Sequence, residues 1–320
     1  MSMDMRMNMH AGKSVAGQEP PGGESPTSSR LRRAWQRARF VVRAVWAQGE
    51  GRFAMTVLCL WILVSLVCLA WTPWPLWATD GYRVWQTPSR AHPLGTDGTG
   101  ADVLSWLLAG SATNLAICLL TVVLAGALGS LLLAATVSRT PALAGSSTVV
   151  VDALISIPTV LIALILAVPM GSSALVIVLA CGIGYGLNLA RVARPAALLA
   201  AGSDYALSAL SSGASGWRIL TRHILPNALP AIAVQLSLSA GSSVLAEAGL
   251  TYLGVGVPSG LPSWGHSLTT SVRLVNVYPL TVLWPGLVVT IVVVSLNLFG
   301  DALREAIDPA SNPALRQEAV

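Results

Sequence analysis

The sequence has 320 residues, of which 54% are hydrophobic and only 10% are charged, and its mean hydropathy is +0.67. Such an apolar composition excludes an ordinary soluble domain and indicates a polytopic membrane protein. The net charge of +5 is compatible with nucleic-acid binding, but the topology derived below explains it without a nucleic-acid partner. The cysteines lie inside apolar runs without motif spacing, which excludes a disulfide framework or a metal site. They are Cys59, Cys68, Cys118 and Cys181.

Two segments of different composition precede the first apolar run. Residues 1–29 are rich in Met, Gly, Pro and Ser and lack apolar periodicity, which predicts a disordered cytoplasmic tail. Alternating methionines beside His10 are soft-metal ligands in principle, but a floppy leader is the simpler interpretation. Residues 30–52 interleave arginines with aromatic and aliphatic side chains. This pattern predicts a basic amphipathic segment on an anionic membrane surface, with nucleic-acid binding as the less favoured alternative.

Long uncharged runs predict an all-α polytopic membrane protein with six transmembrane helices, because about 20 apolar residues cross a bilayer. The first span and its external loop occupy residues 53–100, and a five-helix core occupies residues 101–300. The uncharged run from Val103 to Ser138 is too long for one span, so we expect its leading part to lie along the surface. A Pro-Met-Gly-Ser break at residues 169–172 separates the third span from the fourth. The predicted spans lie near residues 53–71, 112–137, 149–169, 173–191, 227–249 and 280–299.

The distribution of Lys and Arg predicts the orientation through the positive-inside rule. Only Arg83, Arg90 and Arg273 fall in the loops opposite the N-terminus. An even number of spans then places both termini in the cytoplasm, including a soluble C-terminal tail at residues 301–320. The positive charge is therefore a consequence of topology.

A polar stretch of about two dozen residues, beginning at Asp204, separates the fourth predicted span from the fifth. Asp204 is placed to cap a short helix over Tyr205–Ser212, since its side chain can accept a bond from an unpaired backbone amide. Gly213 is placed as the C-terminal stop that needs a left-handed residue. A second basic, amphipathic piece follows before Pro226. A membrane protein keeps such a segment to bind something on the water side, so we predict a docking element.

This stretch resembles the EAA loop of ABC-importer permeases, in which a Glu-Ala-Ala triplet, a following Gly and a later Leu-Pro mark the coupling helix. Ala209 matches the second Ala, whereas Leu207 and Ser208 depart from the Glu and the first Ala. We call residues 192–226 the coupling loop. The resemblance implies that its contacts to a partner ATPase come from Asp204, Tyr205, Ser208, Ala209, Gly213, Leu225 and Pro226.

Further segments, in the same order along the chain, resemble the dipeptide, oligopeptide and nickel permeases of the DppC/OppC type. They are HPLGTD at residues 92–97, DALISIP at residues 152–158, which resembles the family's D-x-x-L-x-x-P pattern with Ile155 in place of the Leu, EAGLTYLGVGV from Glu247, PSWG at residues 262–265, and the stretch from Asn297 to Pro309. Asp97 and Asp102 can also be read as helix caps. A helix dipole can likewise account for Asp152 by favouring a carboxylate near a helix N-terminus. The external-loop and pathway candidates are His92, Gly95, Asp97, Glu247 and Trp264.

Glu247 lies near the outer end of the fifth predicted span, where a carboxylate is costly. Either it has a partner or borders a water-filled path, or it is an interfacial residue bonded to loop amides. His266 stands alone and is not expected to hold a metal.

The resemblance implies a type I ABC importer permease in the bacterial plasma membrane. The chain has no phosphate-binding Gly-rich loop with a Lys, so it is not expected to be an enzyme or to bind a cofactor. ATP and Mg would belong to two partner ATPase subunits, and a second homologous permease and an extracytoplasmic binding protein would complete the complex. Peptides are the expected substrate because few polar side chains line the spans. Nickel or a metal chelate is the alternative, and a stand-alone secondary transporter is the alternative from another class.

Overall fold

The computed structural model describes residues 39–272 and 275–307. The predicted tail at residues 1–29, and Asp308 and Pro309, lie outside these ranges. A boundary between Val42 and Arg43 divides the chain into two units, and the description below concerns the second unit. Helix α1 covers residues 39–47.

The described chain is almost entirely helical, and a single π-helical turn, Leu220–Ile224, separates two of its helices. The remaining helices are α2 Gly49–Val67, α3 Val103–Thr136, α4 Pro141–Ile155, α5 Thr159–Met170, α6 Ala174–Ala201, α7 Asp204–Ser211, α8 Gly216–Ile219, α9 Leu225–Tyr252, α10 Trp264–Val272 and α11 Pro279–Ile307.

Five helical segments are long and apolar enough to cross a membrane: α2, α3, α6, α11 and the segment that runs from α8 through the π-helical turn to α9. Helices α4 and α5 pass the same test only as a pair, and the pair is bent by 84°. The prediction of six spans therefore holds if this bent pair is counted as one span.

The prediction for the second span was wrong in its detail. Helix α3 is continuous over 34 residues, which is about 51 Å at ~1.5 Å per residue. No break separates a surface segment from a span, because Asp102 caps the helix at its first turn and the run contains no Pro to interrupt the hydrogen bonds.

The third predicted span is not one straight helix. Helix α4 ends at Ile155 and α5 begins at Thr159, with Pro158 at the N-cap in an extended conformation (φ −58°, ψ 132°). Proline lacks the amide that would continue the first helix, which explains the bend. Asp152 consequently lies in the last turn of α4, so the helix-dipole explanation for this carboxylate was wrong. Helix α5 also runs through Pro169 and ends at Met170, with Gly171 (φ +69°) at its C-cap.

Helices α3 and α6 pack closely because glycines face each other along their contact. A Cβ atom on Gly186 would lie 3.3 Å from the carbonyl oxygen of Ala125 and from the amide nitrogen of Gly129. In the reverse direction, a Cβ on Gly129 would lie 2.8 Å from the carbonyl oxygen of Gly186. Small residues allow this approach, which is the usual way in which membrane helices gain van der Waals contact.

Polar side chains join the other spanning helices. The Ser237 hydroxyl of α9 donates to the carbonyl of Leu296 in α11 at 2.9 Å. The Trp61 indole of α2 donates to the carbonyl of Ser111 in α3 at 3.3 Å. Each bond gives a partner to a donor that would find no hydrogen-bond acceptor in the hydrocarbon core of the bilayer.

Two predicted segment boundaries differ from the helices. Residues 49–52 belong to the spanning helix α2 rather than to the basic segment, and residues 301–307 continue α11 rather than starting a tail. Asp301 therefore lies inside α11.

Candidate functional site

The coupling loop contains the predicted short helix, α7, and its ends are well defined. Ser203, not Asp204, occupies the N-cap position, and its side chain donates to the carbonyl of Ala200 instead of accepting from α7. Asp204 is the first helical residue, where the helix dipole favours a carboxylate. The prediction that Asp204 caps the helix was therefore wrong, although the helix itself is confirmed.

Gly213 ends α7 as predicted. Its φ is +79°, its amide donates to the carbonyl of Leu210 at 2.9 Å, and the amide of Ala214 donates to the carbonyl of Ala209 at 3.0 Å. These two bonds form a Schellman motif, which requires a left-handed residue at this position. An added Cβ would have no atom within 4 Å, so the backbone conformation, not space, favours glycine.

Helix α7 has one face on the helix bundle and one face free. Ala206 is 2% exposed and belongs to an apolar core formed with α3, α6 and α9, and Ala209 packs against that core. Tyr205 and Leu207 are 47% and 48% exposed, and Ser208 is exposed as well. The helix thus rests firmly on the bundle while it presents a mixed apolar and polar surface outward.

The second half of the coupling loop is joined directly to a span. Ser215 caps α8 through the amide of Arg218 at 3.3 Å. The π-helical turn then leads into α9, which begins at Leu225 with Pro226 in its first turn. The ring of Tyr205 lies 5.8 Å from that of His223. This contact links α7 to the turn that precedes α9.

At the other end of the bundle, the 78–100 loop is anchored by a buried hydrogen bond between His92 and Asp102. His92 Nδ1 lies 2.9 Å from Asp102 Oδ1, and both side chains are almost fully buried. The second carboxylate oxygen of Asp102 accepts from the amide of Ser105 at 2.8 Å and caps α3. The ring of Trp74 covers the imidazole at 4.9 Å between centroids. His92 is therefore held in place inside the loop.

The other loop candidates shape the turn. Gly95 has φ +82°. Asp97 accepts from the amide of Thr99 at 2.8 Å and from the amide of Ala101 at 3.0 Å. It therefore stabilises the loop, and the prediction that it caps α3 was wrong. Asp97 also lines a crevice with His266 of α10. Burial lowers the pKa of His266 below its ordinary value, and the nearby charge of Asp97 opposes this shift.

Glu247 of α9 is fully buried and bonded on both oxygens. Asn114 of α3 donates to Oε2 at 2.8 Å, and Thr251 donates to Oε1 at 3.0 Å. Ser263 and the backbone of Gly265 also hydrogen-bond to the carboxyl group. Glu247 therefore has side-chain partners, as the first alternative expected, and it is buried rather than interfacial.

Trp264 completes this group of residues. Its amide donates to Asn114 Oδ1 at 3.4 Å, and its indole donates to the carbonyl of Leu107 at 2.9 Å. We call Asn114, Glu247, Thr251, Ser263 and Trp264 the buried polar cluster. It joins α3, α9 and the start of α10 in one network.

The structure thus brings Glu247 and Trp264 together, while His92, Gly95 and Asp97 belong to the separate 78–100 loop. Sequence reasoning missed Asn114, the residue that bridges Glu247 and Trp264. A signal was present, because Asn114 is the only amide side chain in the uncharged run from Val103 to Ser138. Sequence reasoning also missed the ion pair between Arg191 and Asp152, in which Arg191 Nε lies 3.7 Å from Asp152 Oδ1.

The sequence is similar to those of several known proteins. Residues 126–312 match the family described as binding-protein-dependent transport system inner membrane component. A probable peptide ABC transporter permease protein, y4tQ, of Sinorhizobium fredii is 36% identical over 262 residues, covering 80% of this chain and 87% of the relative. The probable D,D-dipeptide transport system permease protein DdpC of Escherichia coli is 32% identical over 276 residues, covering 83% and 91%. The nickel transport system permease protein NikC of Escherichia coli is 27% identical over 259 residues, covering 81% and 93%.

Proposed function

The chain belongs to the family of binding-protein-dependent transport system inner membrane components, and on that premise we propose that it is the subunit through which an ATP-driven importer takes up peptides. It is a multi-pass inner-membrane permease of an ABC transporter and not an enzyme. Proteins of this family work in a membrane complex with ATPase and substrate-binding partners. The finer assignments below are part of the proposal.

The observation that carries the proposal is the two-faced helix α7. A coupling helix must be rigidly attached to the spans and still expose a surface to a motor protein. Ala206 and Ala209 supply the attachment, and Tyr205, Leu207 and Ser208 supply the free surface. A partner ATPase that moves this surface would tilt α9 through the π-helical turn, as a rigid-body transition.

The complex has a definite composition in this proposal. Two ATPase subunits bind ATP and Mg, a second homologous permease shares the pathway, and an extracytoplasmic binding protein delivers the substrate to the loops at residues 78–100 and 251–279. This chain binds no cofactor. Both termini and the coupling loop face the cytoplasm, since the Lys and Arg residues concentrate on that side.

A peptide is the favoured substrate because relatives named as peptide and dipeptide permeases cover most of the chain. Nickel or a metal chelate is the second candidate, which the similarity to a nickel permease supports. The family assignment speaks against the stand-alone secondary transporter, because family members depend on a binding protein.

The coupling role can be tested by adding charge and bulk to the free face of α7. Ser208→Arg is the sharpest change because Ser208 is exposed and not packed in the core. Ala209→Arg and Gly213→Arg act on the same helix, but they also disturb packing and the left-handed turn. We expect each variant to lower peptide uptake by about tenfold or more, since a loss of ~1.4 kcal/mol in docking weakens binding tenfold.

Uptake of a radiolabelled peptide in cells, with the amount of complex in the membrane measured by immunoblot, provides the readout. Ser146→Arg is the matched control, because Ser146 is exposed on α4 and lies outside the coupling loop. Normal uptake by Ser208→Arg and Gly213→Arg would refute the coupling role.

A further inference from the structure

An open cleft of about 370 Å³ lies between the end of α7 and the segment that leads into α9. It is lined by Ser212 and Gly213 at the end of α7, by Arg218 of α8, and by Arg222 and His223 of the π-helical turn. We call the surface around these five residues the basic cleft. None of the described residues that line it is acidic.

The positive charge of the basic cleft has no counter-ion within the described part of the chain. Arg218 and Arg222 are both exposed, and neither forms an ion pair with a described residue. Asp204 is the only acidic residue of the coupling loop. It begins α7, whereas Ser212 follows the last residue of that helix, which is about 12 Å away at ~1.5 Å per residue. The cleft therefore carries two guanidinium groups and no carboxylate.

The end of α7 does not require these arginines either. The carbonyls at a helix C-terminus attract cations, but here they already have donors. The carbonyls of Ala209 and Leu210 accept backbone amides in the Schellman motif at Gly213, and the Ser212 hydroxyl donates to the carbonyl of Ser208 at 2.9 Å. Both guanidinium groups are therefore available to a second polypeptide.

The basic cleft lies past the thickness of the bilayer. The spanning segment Gly216–Tyr252 has 37 residues, which is about 55 Å at ~1.5 Å per residue. A bilayer with its headgroups is about 40–45 Å thick. With Tyr252 at the outer surface, the opposite end of the segment, which carries Arg218, extends on the order of 10 Å past the headgroups. A protein partner fits this position better than a lipid.

The free face of α7 adjoins this cleft and carries no charge, since its exposed residues are Tyr205, Leu207 and Ser208. Uncharged contacts supply buried area, whereas charged groups fix the register and orientation of a partner. We propose that the basic cleft is a second docking point for the partner ATPase and that it receives an acidic side chain of that subunit. The planar donors of Arg218 and Arg222 match a carboxylate. This inference rests on the proposed function, which places the ATPase on the free face of α7.

A chemical test is available because Lys13 is the only lysine of the sequence. In a Lys13→Arg background, Arg218→Lys or Arg222→Lys places the single lysine in the basic cleft and keeps its charge. A carbodiimide, which joins an amine to a carboxylate in direct contact, is added to the purified complex with its ATPase subunits. We expect each variant to become linked to an Asp or Glu of the ATPase, as identified by mass spectrometry of the linked peptides.

Arg52→Lys in the same background is the matched control, because Arg52 is exposed on α2 and lies outside the coupling loop. It should give no link to the ATPase. Failure of both cleft variants to link to the ATPase, or equal linking by the control, would overturn the site.

Charge substitutions measure how much the cleft contributes to docking. At low salt, Arg218→Gln and Arg222→Gln should each weaken binding of the ATPase to the permease in vesicles by about tenfold, and Arg222→Glu by about a hundredfold, since attraction becomes repulsion. At ~0.5 M salt the effect of the Gln variants should shrink to about twofold, because partly exposed charges are screened. Arg52→Gln should leave binding unchanged. Parent-like affinity of both cleft Gln variants at low salt would contradict the proposal.

The composition of the vesicles separates the ATPase from an anionic lipid as the occupant. The defect of Arg222→Gln should be the same in phosphatidylcholine vesicles and in vesicles that also contain phosphatidylglycerol. A defect confined to the phosphatidylglycerol vesicles would overturn the proposal in favour of a lipid headgroup.

The failure of this inference can be distinguished from the failure of the proposed function. If Ser208→Arg prevents ATPase binding while the cleft variants bind normally, the cleft is refuted and the coupling role of α7 stands. If the ATPase does not bind the parent chain at all, the proposed function itself is refuted.

Discussion

The buried polar cluster makes a quantitative prediction about Asn114 and Glu247. Asn114→Ala removes the donor that lies 2.8 Å from Glu247 Oε2 and the acceptor that lies 3.4 Å from the amide of Trp264. A hydrogen bond contributes about 0.5–1.5 kcal/mol in soluble proteins. Hydrogen bonds between membrane helices average only ~0.6 kcal/mol and reach ~1.7 kcal/mol. Glu247 is fully buried, so we place the cost of Asn114→Ala near the upper membrane value, at about 2 kcal/mol.

Glu247→Ala should cost more, about 3 kcal/mol, because it leaves Asn114 and Thr251 without their acceptor and opens a cavity. The double variant should cost less than the sum of the two, with a coupling free energy of about 1–2 kcal/mol. The double variant Asn114→Asp/Glu247→Gln should be more stable than either alanine variant, because the amide at position 247 can then donate to the carboxylate at position 114.

Unfolding of the detergent-purified chain by added SDS, followed by tryptophan fluorescence, measures these free energies. Leu120→Ala serves as the control, since Leu120 lies on the same helix as Asn114 with 57% of its surface exposed. A coupling free energy below ~0.3 kcal/mol would show that the two residues act independently, and would refute the idea of a single network that joins α3, α9 and α10.

Two further predictions concern other parts of the chain. Gly186→Leu should push α3 and α6 apart and lower the free energy of unfolding by about 2–3 kcal/mol in the same assay. Gly145→Leu is the control, because an added Cβ there meets nothing within 4 Å, and it should change the free energy of unfolding by no more than ~0.5 kcal/mol. Equal effects of the two variants would contradict the packing argument. Because burial lowers the pKa of His266, the folded state disfavours its protonation, so stability should be complete above the ordinary histidine pKa of about 6.5 and fall as the pH drops below it. Thermal unfolding between pH ~7.5 and ~5.5 should show a smaller loss in His266→Gln than in the parent, and an unchanged pH dependence would refute this assignment.

The elements that depend on local sequence could be predicted well. The spans followed from apolar length, and α7 followed from a polar stretch ended by Gly213, because a left-handed turn is a property of a few neighbouring residues. Errors arose where neighbours compete for a local role. Ser203 took the N-cap expected of Asp204, and Asp102 capped α3 while Asp97 stabilised the turn.

Long-range partners could not be predicted. Asn114 and Glu247 are 133 positions apart, and no pattern near either residue specifies the other. The same holds for Arg194, since only the packing of distant segments encloses its Nε and leaves that one atom without a hydrogen-bond partner.

By itself, the sequence determined that the chain is a membrane-spanning helical protein with a short helix, ended by Gly213, between two spans, and which family motifs it carries. The tertiary structure alone decided that α4 and α5 meet at 84°, that Glu247 is enclosed by donors from three helices, and that one face of α7 is free. The physical reason is that hydrophobicity and capping act over a few residues, whereas burial, charge balance and exposure arise only when distant segments come together.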